Sequence, residues 1–201
     1  MTGNPSRQPA RLVLSRFPAP AGVILLASDE NGVLRALDWE GYEARMQRLL
    51  RRHYPALRPA EGQAPAAIAD ALDAYFSGEL AALDAVPVAT SGTPFQQRVW
   101  AALRQIPPGE TRSYAELATM AGATPRAVRA VGQANGANPI GVVVPCHRVI
   151  ASDGSLGGYA AGLARKRWLL THEGAAFRDH DAPVALPLFA MATAAGVPAP
   201  A

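Results

Sequence analysis

The single cysteine of this 201-residue chain, Cys146, directly precedes a histidine in the segment Pro-Cys-His-Arg-Val-Ile at residues 145–150. One cysteine cannot form an internal disulfide, and one thiol with one imidazole provides too few ligands for a structural zinc site. An isolated cysteine is most often structural, because free thiols are among the most buried side chains. The adjacent His147 favours the other interpretation, in which Cys146 is a nucleophile.

A nucleophilic cysteine needs a base, because the thiolate is the reactive form and an unperturbed thiol, with a pKa of about 8.5, is mostly protonated at neutral pH. His147 is the nearest candidate. Adjacent side chains of an extended segment point to opposite faces, so direct contact is not the easiest geometry. A turn at residues 145–146 or a bridging water would connect the imidazole to the thiol.

A carboxylate usually orients the imidazole of such a nucleophile. Residues 91–175 offer four acids: Glu110, Glu116, Asp153 and Glu173. The first two flank a helix-capping sequence and the third lies in a Ser-Asp-Gly turn, so each has a local structural role. Glu173 ends a predicted helix, where the helix dipole disfavours a negative charge. We therefore expect Glu173 to be the orienting acid.

Composition and charge limit the environment and the partners. Hydrophobic residues make up 49% of the chain, and its longest apolar runs are far too short to cross a bilayer. The N-terminus lacks the pattern of a secretory signal, and the single free cysteine favours a cytoplasmic protein without a membrane partner. We also expect a monomer.

The net charge is +3, and residues 91–175 hold nine basic residues against four acids. This excess favours a phosphate-backbone partner, although a solvated face would give the same count.

The first half of the chain predicts a small α/β domain with no evident chemistry. Three strand patterns come first, at residues 11–15, 22–27 and 33–37. The last two are joined across Asn31-Gly32, a pair preferred in type I′ hairpin turns. Apolar residues at helical spacing then predict two helices, one from Tyr42 to Leu50 and one from Ile68 to Phe76.

Three short helices open the second half. Thr93 and Ser113 each begin a capping box, and the second helix should end near Gly122. Thr124-Pro125 begins the third helix, which runs toward Gly136. The second and third helices form a helix-turn-helix, a motif that binds DNA but also occurs as a plain packing unit.

The whole chain is therefore expected to be an α+β protein of two domains. The expected order is an N-terminal extension at residues 1–10, the α/β domain at 11–86, a linker at 87–92, a mainly helical domain at 93–175 and a flexible tail at 176–201. A last helix around residues 165–170 should stop at Gly174, and the tail is rich in Ala and Pro.

With these residues together, the second half closely resembles the O6-alkylguanine-DNA alkyltransferases. The matching stretches are residues 95–100, 106–114, 129–132, 137–139, 145–150 and 157–159. The most specific signal is the Pro-Cys-His-Arg-Val string with an Asn-Pro pair seven residues upstream of the cysteine. The first half resembles the family's ribonuclease-H-like first domain more weakly.

The resemblance implies a DNA repair protein that binds double-stranded DNA, flips O6-alkylguanine out of the stack and transfers the alkyl group irreversibly to Cys146, once per molecule. It implies that His147 is a water-bridged base and that Glu173 orients it. Asn138 would brace the segment between the recognition helix and the active site.

By the same match, three residues would contact the flipped base: Tyr114, which also donates a proton, Val149 and Tyr159. Arg129 would fill the vacated stack, and Ser152 would lie near a phosphate. Ala160 stands where some members have a serine that can contact the substrate. The first domain lacks the cysteines of a zinc site that some members carry, so no metal or cofactor is expected.

Two other classes share part of this pattern. A non-catalytic lesion sensor or regulator could have the same helix-turn-helix, but such a sensor would be expected to lack the thiol of Cys146. A thiol hydrolase would use similar side chains. It would also need an oxyanion hole, and no glycine-rich donor loop is evident beside Cys146.

Overall fold

A meander of three antiparallel strands begins the chain in the computed structural model, which describes residues 8–179. Its strands are β1 (Leu12–Ala19), β2 (Gly22–Asp29) and β3 (Leu34–Trp39). A short strand, β4 (Ala60–Glu61), adds in parallel to β1, which gives the sheet order β3-β2-β1-β4. Two helices, α1 (Glu43–His53) and α2 (Ala66–Phe76), complete this part, and a single 3-10 turn (Ala82–Ala85) follows them.

The turn between β2 and β3 differs from the predicted type I′ turn. That turn requires a positive φ at both central residues, but of the two only Gly32 has one, at 74°. The buried carboxylate of Asp29 organises the loop instead, since it accepts hydrogen bonds from the backbone N–H groups of Asn31 and Val33. The same carboxylate pairs with Arg35 at 2.7 Å.

The second part of the chain is mainly helical. It contains α3 (Pro94–Leu103), α4 (Tyr114–Met120), α5 (Val128–Gly136) and α6 (Leu163–His172), together with a two-stranded parallel ribbon of β5 (Arg112–Ser113) and β6 (Val149–Ile150). The capping boxes at Thr93 and Ser113 are both present. Thr124 makes no side-chain cap, and a 3-10 turn at Pro125–Ala127 precedes α5.

One hydrophobic core extends through both parts. It includes Leu37 and Leu72 from the first part and Val99, Leu103 and Ile140 from the second, all of which are fully buried. Helix α1 is the exception, because its Met46 and Leu50 form a separate cluster with Leu12 and Leu25 of the sheet. The apolar faces of the other helices meet in a shared interior that fixes one part against the other.

Strand β3 is the edge at which the two parts join. Leu34 donates its N–H to Pro87 O and accepts from Ala89 N–H, so the first residues of the expected linker run beside the sheet. Further along, Leu37 donates to Pro139 O at 2.8 Å and accepts from Gly141 N–H at 3.1 Å. The sheet thereby holds the segment that leads to Cys146.

The expected extension and tail lie mostly outside the described residues, as residues 1–7 and 180–201. The tail residues that are described pack on the second part. The backbone N–H of Arg178 donates to Gly154 O at 2.7 Å, and Asp179 pairs with Arg167 at 2.6 Å.

Leu37→Ala tests whether this junction supports the fold. Leu37 has no exposed surface, so we expect the variant to lose about 2–5 kcal/mol of the free energy of unfolding, measured by urea denaturation. The matched control is Leu163→Ala, because Leu163 is 40% exposed and should change the value by less than about 0.5 kcal/mol. Equal losses in the two variants would contradict a core role for Leu37.

Candidate active site

Two tight turns deliver Cys146 to the interior. Val143 donates its N–H to Gly141 O at 2.7 Å, around Val142, whose φ is 65°. Cys146 then donates its N–H to Val144 O at 2.8 Å, around Pro145. A positive φ is costly for a β-branched residue and persists only where the surroundings hold it. Of the two alternatives considered for this segment, a turn at Pro145–Cys146 is present, and Cys146–Arg148 form one 3-10 turn.

Asn138 holds the ends of this turned segment together. Its Nδ2 donates to Val144 O at 2.8 Å, and its Oδ1 accepts from Ile140 N–H at 3.0 Å. Its own carbonyl accepts from Arg45 of α1 at 2.8 Å. The side chain is almost completely buried, so it is a fixed brace between the end of α5 and the cysteine.

A buried carboxylate lies at the centre of the site. The ring nitrogen Nε2 of His147 is 2.9 Å from Glu173 Oε1, and neither side chain has exposed surface. Arg148 donates to both oxygens of Glu173, each at 2.8 Å. The hydroxyl of Tyr75, on α2, donates to Glu173 Oε1 at 2.7 Å. Three side chains thus converge on one acid that closes the C-terminus of α6.

These contacts decide the protonation states. Burial opposes the charge on Glu173, but hydrogen bonds from His147 and Arg148 outweigh it and hold the pKa of the carboxyl well below its usual range. Burial lowers the pKa of His147, although Glu173 partly offsets this. A neutral imidazole that donates from Nε2 to a carboxylate keeps a lone pair on Nδ1. That atom is buried and has no hydrogen-bond partner among the described residues.

The thiol itself is only 7% exposed. Burial raises the pKa of Cys146, and the nearby Asn138, Arg45 and Lys166 only partly offset this. The resting side chain is therefore a thiol, which needs a base before it can attack. The Nδ1 lone pair of the neighbouring His147 is suited to that task.

Lys166 orders the loop that follows the cysteine. Its ammonium group donates to three carbonyls, those of Val149 at 2.5 Å, Gly158 at 3.2 Å and Leu156. Burial lowers the pKa of Lys166 to about 8. The hydrogen bonds of this ammonium group therefore connect α6 to β6 and to the loop that contains Gly158.

Two tyrosines flank the thiol. Burial and the nearby Cys146 raise the pKa of Tyr114, which begins α4, and the pKa of Tyr159. The ring of Tyr114 lies between α5 and the loop, because a Cβ atom added at Gly132 or Gly157 would come within 3.8 Å of it. Val149 has no exposed surface and lies in β6.

The remaining predicted site residues lie on the surface. Arg129 is exposed on α5, and Ser152 is exposed in the turn after β6. The structure thus brings together Cys146, His147 and Glu173 with Asn138 and the tyrosines, and it places these two outside that cluster.

Three residues of the site were not foreseen from the sequence. They are Tyr75, Arg148 and Lys166. Arg148 stands inside the Pro-Cys-His-Arg-Val string but was given no role. Tyr75 fitted an amphipathic helix pattern, and Lys166 stands among basic residues of α6 that a solvated face would explain equally well. No spacing pattern connects α2 with α6, since residues 75 and 173 are far apart in the chain.

Within residues 8–179 there is no group of three or more His, Cys, Asp and Glu side chains that could hold a metal ion. No helix in that part of the chain is long and apolar enough to cross a membrane.

The fold and the site define a two-part protein with a buried thiol, imidazole and carboxylate beside the helices α4 and α5. Residues 13–90 match the family model described as the ribonuclease-like domain of 6-O-methylguanine DNA methyltransferase, and residues 94–175 match its DNA binding domain. The Salmonella typhimurium methylated-DNA--protein-cysteine methyltransferase is 49% identical over 166 residues, which are 82% of this chain and 96% of that protein. This chain belongs to the 6-O-methylguanine DNA methyltransferase family.

Other relatives agree with this assignment. The protein of the same name from Mycobacterium bovis is 56% identical over 120 residues, which cover 60% of this chain and 68% of that protein. Among solved structures, Mycobacterium tuberculosis OGT in complex with DNA superimposes with a TM-score of 0.67 at 41% identity, covering 81% of this chain and 92% of that one.

The buried pair makes stability depend on pH. Below pH 6.5 the unfolded His147 gains a proton that the buried ring resists, so lowering the pH favours the unfolded state by at most about 1.4 kcal/mol per pH unit. Glu173, with a lowered pKa, adds to this loss below its usual value of 4.5. We expect urea denaturation between about pH 7 and about pH 5 to show a falling free energy of unfolding, and His147→Gln to flatten this slope.

The comparison variant is His53→Gln, because burial and Arg52 also lower the pKa of His53. This variant should remove only the part of the pH dependence of the free energy of unfolding that is due to His53. If His147→Gln has the same slope as the wild type between these pH values, the buried pair does not control the pH dependence.

Proposed function

We propose that this chain repairs double-stranded DNA by moving the alkyl group of O6-alkylguanine irreversibly onto Cys146. The observation that carries the proposal is the buried contact of 2.9 Å between His147 Nε2 and Glu173, next to the only cysteine of a chain in this family. The 96% coverage of the Salmonella typhimurium protein supports applying the family's activity to the whole described chain.

In the first step, the proton of the Cys146 thiol passes through a water to Nδ1 of His147. The resulting imidazolium is stabilised by the charged Glu173, so charge separation occurs inside a site already arranged for it. Arg148 and Tyr75 keep that carboxylate in place. His147 is thus the base, and Glu173 is the positioning residue that orients it.

In the second step, the sulfur attacks the alkyl carbon and the bond between that carbon and O6 breaks. The electron pair goes to the guanine, which takes up a proton from Tyr114 and remains in its DNA strand as a repaired base. The raised pKa of Tyr114 keeps its hydroxyl protonated until the base needs the proton. The product is a thioether, which water does not cleave at a useful rate, so each molecule acts once.

DNA contact belongs to the helix-turn-helix of α4 and α5. A base paired inside a duplex cannot reach a thiol that is 7% exposed, so the alkylated guanine must leave the stack. Arg129, exposed on α5, fills the space it leaves, and Ser152 lies near a phosphate. Val149 and Tyr159 line the guanine pocket.

The molecule divides into an α/β domain at residues 11–86, a linker at 87–92 and the DNA-binding, alkyl-accepting domain at 93–175. Its free cysteine supports a reducing, cytoplasmic location, because an oxidised sulfur could not accept an alkyl group.

Incubation with a duplex that contains one O6-methylguanine should add one methyl mass to Cys146, as measured by intact-mass and peptide mass spectrometry. Cys146→Ala should gain no mass but should still bind the duplex, because Cys146 is buried and lies away from the surface that would face the phosphates. A duplex without the lesion is the control. A wild-type protein that gains no mass, or that converts more than one equivalent of O6-methylguanine to guanine in the duplex, would contradict the proposal.

His147→Gln should slow transfer about 10²–10⁴-fold, the usual contribution of a general base. Tyr75→Phe should have a smaller effect, on the order of tenfold or less, because Arg148 still holds Glu173 and only one hydrogen bond is lost. Time courses of methyl transfer at saturating DNA measure both rates. A rate in His147→Gln equal to that of the wild type would exclude His147 as the base.

A further inference from the structure

Helix α1 is strongly basic within an otherwise acidic part of the chain. Its eleven residues, Glu43–His53, contain four arginines and one glutamate. The whole of residues 1–90 has nine arginines against ten acids, so the rest of that segment has an acidic excess. The charge of the first half is therefore balanced overall, but it is concentrated locally on one helix.

Three of these arginines form no ion pair within the described residues that would account for their charge at these positions. Arg48, Arg51 and Arg52 are exposed, and none forms an ion pair with another residue in the range 8–179. The helix dipole accounts for basic residues in the last turn, where Arg51 and Arg52 lie. It does not account for Arg48, which lies in the middle of the helix.

Arg45 connects this helix to α5. It pairs with the buried Asp38 at 2.6 Å, and its other nitrogen donates to the carbonyls of Gly136 at 3.1 Å and Asn138 at 2.8 Å. Gly136 is the last residue of α5. The first arginine of α1 is therefore fixed to the end of the helix that we assign to DNA.

Each of the two helices carries a row of solvent-facing residues, and Arg45 links the helices at the end of α5. Exposed residues of α5 recur at Arg129, Gln133 and Gly136, which share one face of a helix. On α1, Arg48 and Arg52 follow Arg45 at the same helical spacing. The three arginines span about 10 Å of helix, enough to face two neighbouring phosphates of a DNA backbone.

The arginines also shape the surface. A depression of about 450 Å³ on this helix is lined by Arg45, Arg48, Leu49, Arg51 and Arg52. Guanidinium groups that converge on one concave site suit the oxygens of a phosphate, which accepts several hydrogen bonds at once.

We infer that the α1 arginine row, in which Arg45 anchors the helix to α5 and the exposed Arg48 and Arg52 bind phosphates, is a second contact with the DNA backbone, beyond the footprint of the helix-turn-helix. This inference rests on the proposed function, because it needs duplex DNA along α5. It assigns a DNA-binding role to the first part of the chain, which the sequence pattern left without one.

The test compares two double variants of the full chain. Arg48→Gln with Arg52→Gln removes two charges of the row, and Arg11→Gln with Arg58→Gln removes two charges from exposed arginines elsewhere in the same part. Circular dichroism checks that both are folded. Binding to an undamaged fluorescent duplex of about 20 base pairs is measured by anisotropy between about 50 and about 200 mM salt.

The row variant should bind more weakly, and the slope of log K against log salt should become less steep by about 1.8, since two phosphate contacts are lost. The ratio of the wild-type binding constant to that of the row variant should therefore fall by on the order of tenfold as the salt concentration rises from about 50 to about 200 mM. The control should keep the wild-type slope. Equal slopes in all three proteins, or equal changes in both variants, would overturn the inference.

A further variant, Arg129→Gln, distinguishes failure of the inference about α1 from failure of the proposed function. If Arg129→Gln weakens binding while the row variant does not, only the second contact is wrong. If the wild-type chain neither binds the duplex nor gains a methyl group from the lesion, the proposed function itself is wrong.

Discussion

The active site depends on the contacts that stabilise the buried negative charge of Glu173. A carboxylate without exposed surface is stable only when charged or polar partners surround it. Here Arg148 supplies the charge, and His147 and Tyr75 supply further hydrogen bonds. The same contacts that make burial tolerable fix the tautomer of the imidazole. Stability and chemistry are thus linked, because the loss of Arg148 would leave the buried carboxylate without a counter-charge, and the loss of His147 or Tyr75 would remove one of its hydrogen bonds.

That dependence explains why the α/β part matters to a reaction that occurs in the helical part. Tyr75 reaches Glu173 from α2, and Arg45 reaches the carbonyl of Asn138 from α1. Strand β3 holds the segment before the cysteine through Leu37. The first part therefore supports the site through three elements, α1, α2 and β3, although it provides none of the reacting atoms.

The arrangement of the central side chains could be predicted from the sequence because it depends largely on adjacent residues. Cys146 and His147 are neighbours, and Glu173 was identified as the orienting acid because its position at a helix end had no local explanation. The capping boxes at Thr93 and Ser113 are equally local signals, and both are present. Tyr75 and Lys166 could not be found this way, because their roles arise only when distant helices pack together. The hairpin turn was mispredicted because the Asp29 carboxylate, rather than Asn31-Gly32 alone, determines the loop.

The raised pKa of the thiol has a consequence for a protein that reacts once. A thiolate held permanently in water would be open to oxidation and to any soluble alkylating agent, and each such event would consume a molecule. Burial at 7% exposure keeps Cys146 protonated and shielded. A flipped base that fills the site would exclude all but the bridging water and bring the alkyl carbon to the sulfur while the His147–Glu173 pair takes up the proton. Reactivity is then confined to the moment when DNA supplies the substrate, which is the only moment when its irreversible use is productive.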